Sequence, residues 1–265
     1  MECVYYTNEA NELYKYIMQV YPEYCFGDIL EIIEYRLTPE LKQYISENEN
    51  ENENVKQIKA YIAQHKFEIN FEPIYNTYRD LRSTISSCLN QGSRFIIIEV
   101  TIHSPWIISF IKTQNGLVPQ LKYPKCSHGN IIIVDTERKQ IERFEPFGAS
   151  YSEKTPGIDD ELDFFLTKGT KNREAIFPHY KYFGPLSYCP LIGPQENESK
   201  STLHQSRSIV GAFCHWWNIY YLITRINYPK LDRKEIVEIM SSWSPDEAFE
   251  EIYNLRKTIL KDFAL

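Results

Sequence analysis

No run of lysines or arginines occurs anywhere in the 265 residues, and the formal net charge is -7 with a pI near 5.5. That balance argues against a nucleic-acid groove or an anionic membrane surface as the primary partner. No apolar stretch approaches the roughly 20 residues that span a bilayer. The opening MECVYYTNEANELYKY has neither the basic start nor the apolar core of a secretory signal. The expectation is a soluble, unsecreted chain with no membrane partner. No internal repeat is found, which excludes a solenoid. The six cysteines, at positions 3, 25, 88, 126, 189 and 214, form no CxxC pair and no dense cluster. Their spacing speaks against a zinc ribbon and against a disulfide scaffold, and reduced thiols are expected. Cys126 and His128 form a C-x-H pair, but no second ligand pair stands at zinc-site spacing, so neither metal nor cofactor is expected.

At 43% hydrophobic and 25% charged residues, the chain can bury a core that fits one catalytic domain and a smaller appendage. Residues 1–46 read as helices: Leu13, Tyr14, Ile17, Met18 and Tyr21 recur at helical steps. A perfect Glu-Asn repeat over residues 47–54 offers no apolar face and suggests a solvated linker. The division drawn from it is a helical N-terminal region, 1–54, and a catalytic domain, 55–265. Residues 55–91 look mainly helical. The β-branched run RFIIIEVTI, at 94–102, signals a buried strand where the core sheet is expected to start. HGNIIIVD and IERFEPF then read as a hairpin, with a short helix over 161–168 and an extended segment over 180–183. From Gly211 the chain is apolar on nearly every side until Arg225, as befits a helix in the middle of a domain. Amphipathic helices follow over 233–240 and 246–261, the second opened by Ser244, Pro245 and Asp246. The fold class is α+β.

If the hairpin is symmetric about the Thr136–Glu137 bond, His128 stands directly opposite Glu145. A carboxylate there can hold an imidazole by one ring nitrogen and fix its tautomer. Thr-Glu is not a favoured two-residue turn, so this register is an expectation that a bulge would break. Cys214 falls in the first turn of the apolar helix, where free N–H groups and the macrodipole favour a thiolate. Cleavage of a peptide or isopeptide bond needs such a nucleophile, a proton donor for the leaving amine and donors for the oxyanion. Gln195 and Gln205 both precede the cysteine and qualify for the last role.

In the order His, acid, Gln, Cys, the sequence resembles the adenain and Ulp-type SUMO proteases, in which histidine begins a strand and cysteine opens the central helix. The blocks HGNIIIVD, ERFEPFG, GPQENE, GAFCHWW and RINYP resemble the thiol proteases of large DNA viruses over residues 94–230. The resemblance implies an adenain/Ulp-like fold, with a buried cysteine-bearing helix packed on a mostly antiparallel sheet. It implies a thiol peptidase with His128 as base, Glu145 as its orienting acid and Cys214 as nucleophile. The GPQ block points to Gln195 as oxyanion donor, whereas the spacing of the cellular relatives points to Gln205; Gln195 is preferred. The implied substrate is a protein, either a virion precursor or a ubiquitin-like conjugate, in the host cytoplasm or a virion. The rival readings are an idle structural protein that keeps the fold and an acyltransferase, for which no basic cluster suited to CoA phosphates is seen. Trp216 and Trp217 are expected in the core, His215 is expected to be structural, and His179 and His204 carry no signal.

Overall fold

The computed structural model describes residues 14, 17, 20–21, 24–37, 39–47, 56, 60, 74–75, 78–113, 116–122, 127–154, 157–169, 174–206 and 213–262. The strands are β1 (Tyr24–Leu37), β2 (Ile74–Tyr75), β3 (Phe95–Thr113), β4 (Gly116–Lys122), β5 (Ser127–Asp135), β6 (Gln140–Phe144) and β7 (Lys181–Phe183). The helices are α1 (Pro39–Glu47), α2 (Tyr78–Asn90), α3 (Ala149–Lys154), α4 (Ile158–Asp163), α5 (Pro194–Glu198), α6 (Leu203–Ser206), α7 (Cys214–Asn227), α8 (Arg233–Ser241) and α9 (Pro245–Asp262).

Two compact units divide the chain. The first takes residues 1–30, 77–101 and 129–265. It holds a mixed sheet in the order β1-β3-β5-β6-β7, in which β5 and β6 run antiparallel and β6 and β7 parallel. The second takes residues 31–76 and 102–128, with β2 antiparallel to β1 and β4 antiparallel to β3. The 54/55 division lies within the span of the second unit, and residues 48–54 of the Glu-Asn segment lie outside the described residues.

The reading of residues 1–46 as helical is corrected by β1. Tyr14 and Ile17 are helical and buried as expected, but residues 24–37 form a strand next to β3 in the sheet. There the Tyr24 ring stacks on Phe95 at 4.9 Å, a long-range pairing that overrides local propensity. The sheet therefore begins before residue 94. The strand expected over 94–102 begins as read but runs on to Thr113, and residues 74–75, in the span read as mainly helical, form β2. The hairpin's two strands, β7, α8 and α9 lie close to the expected positions, and Ser244 and Glu247 exchange capping hydrogen bonds at the start of α9.

The central helix α7 is buried on most of its faces, with Trp217, Ile219, Tyr221 and Leu222 fully enclosed. Its far end is fixed by charge. Arg225 and Arg233 donate to the two oxygens of buried Glu142 at 2.8 and 3.0 Å, and Tyr221 donates to the same carboxylate at 3.0 Å. The helix is thus tied to β6 and α8.

The expectation of reduced thiols is also corrected. Cys25 on β1 and Cys88 on α2 form a disulfide with a Cα–Cα distance of 5.6 Å. The partners are 63 residues apart, so no local spacing announces the pair. Cys189 and Cys214 are free and buried; Cys3 and Cys126 lie outside the described residues. Among the described residues no helix is long and apolar enough to cross a membrane.

Candidate active site around Cys214

The hairpin closes on Asp135 paired with Gln140, and Ile131 is paired with Phe144. The loop is therefore four residues, 136–139, with Lys139 in the left-handed region at φ 54°. This corrects the expected register: Asn130, not His128, stands opposite Glu145. The cause is the turn, since Thr-Glu does not supply the left-handed pair that a two-residue loop needs. A slip of two residues keeps the face. His128, the second residue of β5, is buried and stays on the Asn130 side of the strand.

Glu145 is fully buried and held at both oxygens. Asn130 Nδ2 donates to Oε2 at 3.0 Å and the Phe147 backbone N–H donates to Oε1 at 3.0 Å. Behind it lies Arg143, also fully buried, 3.7 Å from Glu145 Oε2. Its fork donates to both oxygens of Asp159 at 2.9 Å and to Ser152 Oγ at 2.8 Å, and Nη1 donates to Asn130 Oδ1. Burial works against the guanidinium charge, but Asp159 above all, with Tyr182 and Glu145, holds the group above its ordinary range and fully ionised. Asn130 therefore bridges Arg143 and Glu145. Its type and place in HGN were visible, whereas its role depends on the register.

The turn after Glu145 is laced to the segment that leads into α5. The Gly193 N–H donates to Phe147 O at 2.8 Å, Gln195 N–H to Pro146 O at 3.0 Å, and Ala149 N–H to Pro190 O at 2.8 Å. Gly148 has φ 92°, and a Cβ there would come within 2.6 Å of Pro190 O. FEPFG and GPQ, 45 residues apart from Gly148 to Gly193, thus form one backbone unit that carries both Glu145 and Gln195. Gln195 is 3% exposed, and its Oε1 has no hydrogen-bond partner among the described residues. Gln205 lies in α6, its side chain outside the described residues.

Cys214 is the first residue of α7 and 3% exposed, so its sulfur sits where a helix N-terminus favours negative charge. Two carboxyl–imidazole pairs lie nearby. His215 Nδ1 is 3.0 Å from Glu99 Oε1, and its ring covers Gly129 so closely that a Cβ there would come within 2.6 Å of Cε1. His215 is thus packed between Glu99 and Gly129. Glu99 and Cys214 both add to the burial that pushes the Tyr14 phenol well up. The second pair is Glu198 on α5, bonded to His204 Nε2, with Trp217 Nε1 at 3.5 Å from the other oxygen. His204 looks featureless in sequence because its partner is six residues away across a break between helices.

Burial lifts the Glu198 carboxyl to about 8, the Trp217 N–H opposing and Cys214 adding to the shift, while burial lowers His204. The contact has the geometry of an ion pair, yet both shifts favour neutral partners. We read a neutral hydrogen-bonded pair, because among the described residues no guanidinium or ammonium forms an ion pair with this carboxyl. The sign for stability follows. Between the ordinary 4.5 and about 8, the folded state keeps a proton that the unfolded chain loses, so stability falls as pH rises through that window. His204, lowered in the fold, costs stability as pH falls below its ordinary 6.5. Glu198→Gln is expected to flatten the decline in Tm between pH 6.5 and 8, measured by thermal unfolding in matched buffers. An unchanged slope sinks the assignment.

No family model matches the chain. It is similar to a protein of Acanthamoeba polyphaga mimivirus described as an ankyrin repeat protein, with 32% identity over 152 residues. The match covers 52% of this chain and 20% of that protein, so the chain spans about a fifth of its length. The described elements here form a sheet with flanking helices, unlike the stacked turn-and-helix-pair units of an ankyrin array.

Proposed function

We propose that the chain is a cysteine peptidase of the adenain/Ulp type. The observation that carries this reading is the backbone unit that joins the Glu145 turn to the Gln195 helix, whose Glu198 faces the indole of Trp217, one turn into the buried helix that Cys214 opens. Two sequence blocks 45 residues apart, FEPFG and GPQ, would otherwise have no reason to be laced in this way. In this mechanism the Cys214 thiolate attacks a peptide or isopeptide carbonyl, and Gln195 donates to the oxyanion. His128, with Glu145 as its orienting acid, delivers the proton to the leaving amine. The thioester that remains is hydrolysed by water activated by the same imidazole. The lacing supports Gln195 over Gln205. Similarity to a mimivirus protein supports a viral setting, in which the substrate is a virion precursor or a ubiquitin-like conjugate.

The test is labelling with peptide and ubiquitin-like electrophilic probes, read by intact mass. The wild type is expected to take one adduct at Cys214, absent in Cys214→Ala and slowed at least about 100-fold in His128→Ala. Ordinary alkylation of Cys214 at equal rates in wild type and His128→Ala, with no probe adduct, would indicate a structural protein that keeps the fold and does no chemistry.

A further inference from the structure

Three features are not used by the proposed chemistry: the exposed Leu191 and Ile192 before α5, the Glu99–His215 pair, and the Glu198–His204 pair. The first is an apolar ledge with nothing to identify an occupant. The second is accounted for by packing over Gly129. The third connects parts of the site.

We propose that Glu198 and His204 form an uncharged positioning latch, which fixes the helix carrying Gln195 to the first turn of the helix carrying Cys214. This inference rests on the peptidase reading. Glu198 is 2% exposed on a helix of only five residues, Pro194–Glu198, too short to hold its place by its own hydrogen bonds. Gln195 and Glu198 are three residues apart, on one face of that helix. One Glu198 oxygen meets His204 Nε2; the other faces the indole N–H of Trp217, one turn after Cys214. The segment after α5 is itself pinned, since Ser201 Oγ donates to Asp246 Oδ1 on α9 at 2.6 Å. The His204 ring packs edge-on against Phe249 at 4.6 Å and lies 5.8 Å from Phe213, the residue before the nucleophile.

Charge decides the form in which the latch works. A carboxylate facing the first turn of this helix opposes ionisation of the thiol, whereas a carboxylic acid that donates its proton to His204 Nε2 still accepts from Trp217 and adds no negative field. The latch therefore holds the oxyanion donor in place without raising the cost of forming the nucleophile. His204 is a holder and not the base.

The experiment compares Glu198→Gln, Glu198→Ala and His204→Ala in the full chain, with two readouts. The first is the rate of probe labelling at Cys214, resolved into maximal rate and half-saturating concentration. The second is solvent exchange of the Trp217 indole N–H by NMR, with Trp217→Phe identifying the resonance. Glutamine matches a neutral glutamic acid, so Glu198→Gln is expected within about 3-fold of wild type, with a protected indole. Glu198→Ala and His204→Ala are expected to lose at least about 10-fold in maximal rate, with little change in half-saturation and faster indole exchange. Glutamine as damaging as alanine overturns the proposal, because it makes the charge essential and points to His204 as a base. So does an alanine variant with wild-type rate and exchange. If the wild type takes no adduct at all, the peptidase reading fails, and indole exchange alone then decides whether the latch exists.

Discussion

Arg143→Met is expected to lower stability by about 3–5 kcal/mol, the usual cost of leaving a buried ion pair without one partner. Arg143 and Glu145 are both fully buried, and the guanidinium also serves Asp159, Ser152 and Asn130. Methionine keeps much of the volume and removes every donor. Asp159 keeps the Tyr182 hydroxyl, which donates at 2.7 Å, and retains some solvent. Glu145 retains Asn130 and the Phe147 N–H but loses its counter-charge. A loss of that size is a large share of the roughly 5–15 kcal/mol that holds a domain together. It should appear as a fall in Tm of roughly 6–20 °C. Lysine should not restore the site, because an ammonium cannot present the fork that Asp159 grips at both oxygens. The double variant Arg143→Met/Glu145→Gln should recover part of the loss, since it removes the charge left behind. Thermal and urea unfolding of the four proteins measure the coupling. Strict additivity, or a loss for Arg143→Met under about 1 kcal/mol, counts against the network.

How far the site could be read from the sequence depends on how far apart its interacting residues lie in the chain. The helix headed by Cys214 was legible because its residues are apolar on nearly every side, and the hairpin because its β-branched runs flank a polar break. β1 was not, since residues 24–37 become a strand by pairing within the sheet and carry no period that says so. β4 is invisible for a similar reason: it is a return partner of the far half of β3. The hairpin register failed at its turn, where a four-residue loop moved Asn130 into the place expected for His128. Nothing in the sequence sets Arg143 and Glu198 apart from the other charged residues, and burial distinguishes them. What made them detectable in the structure is that each sits on an element whose other residues were already conspicuous: Arg143 two before Glu145, Glu198 three after Gln195.

Gly193→Ala tests the joint between those elements, and its expected effect on activity is larger than its effect on stability. An added Cβ would press on the Gly148 amide and the Pro146 carbonyl, and would come within 2.6 Å of the Phe147 carbonyl carbon. All three are backbone, so the strands of chain must part. Parting them weakens the Gly193 N–H to Phe147 O and Gln195 N–H to Pro146 O hydrogen bonds, which couple Gln195, the proposed oxyanion donor, to the turn that carries Glu145, the proposed orienting acid. The stability cost of such overpacking is about 1–3 kcal/mol. A donor displaced by about 1 Å can cost about 100-fold in rate, and probe labelling at Cys214 should fall by that order. Alkylation by a small neutral reagent should change less than about 2-fold, because no oxyanion forms in that reaction. Gly148→Ala should behave alike, with added strain from its φ of 92°. The decisive comparison is with Gln195→Ala: if both act through one donor, combining Gly193→Ala with it adds little to either alone. Full additivity, or a stability loss with labelling intact, would make this joint a scaffold and remove Gln195 from the chemistry.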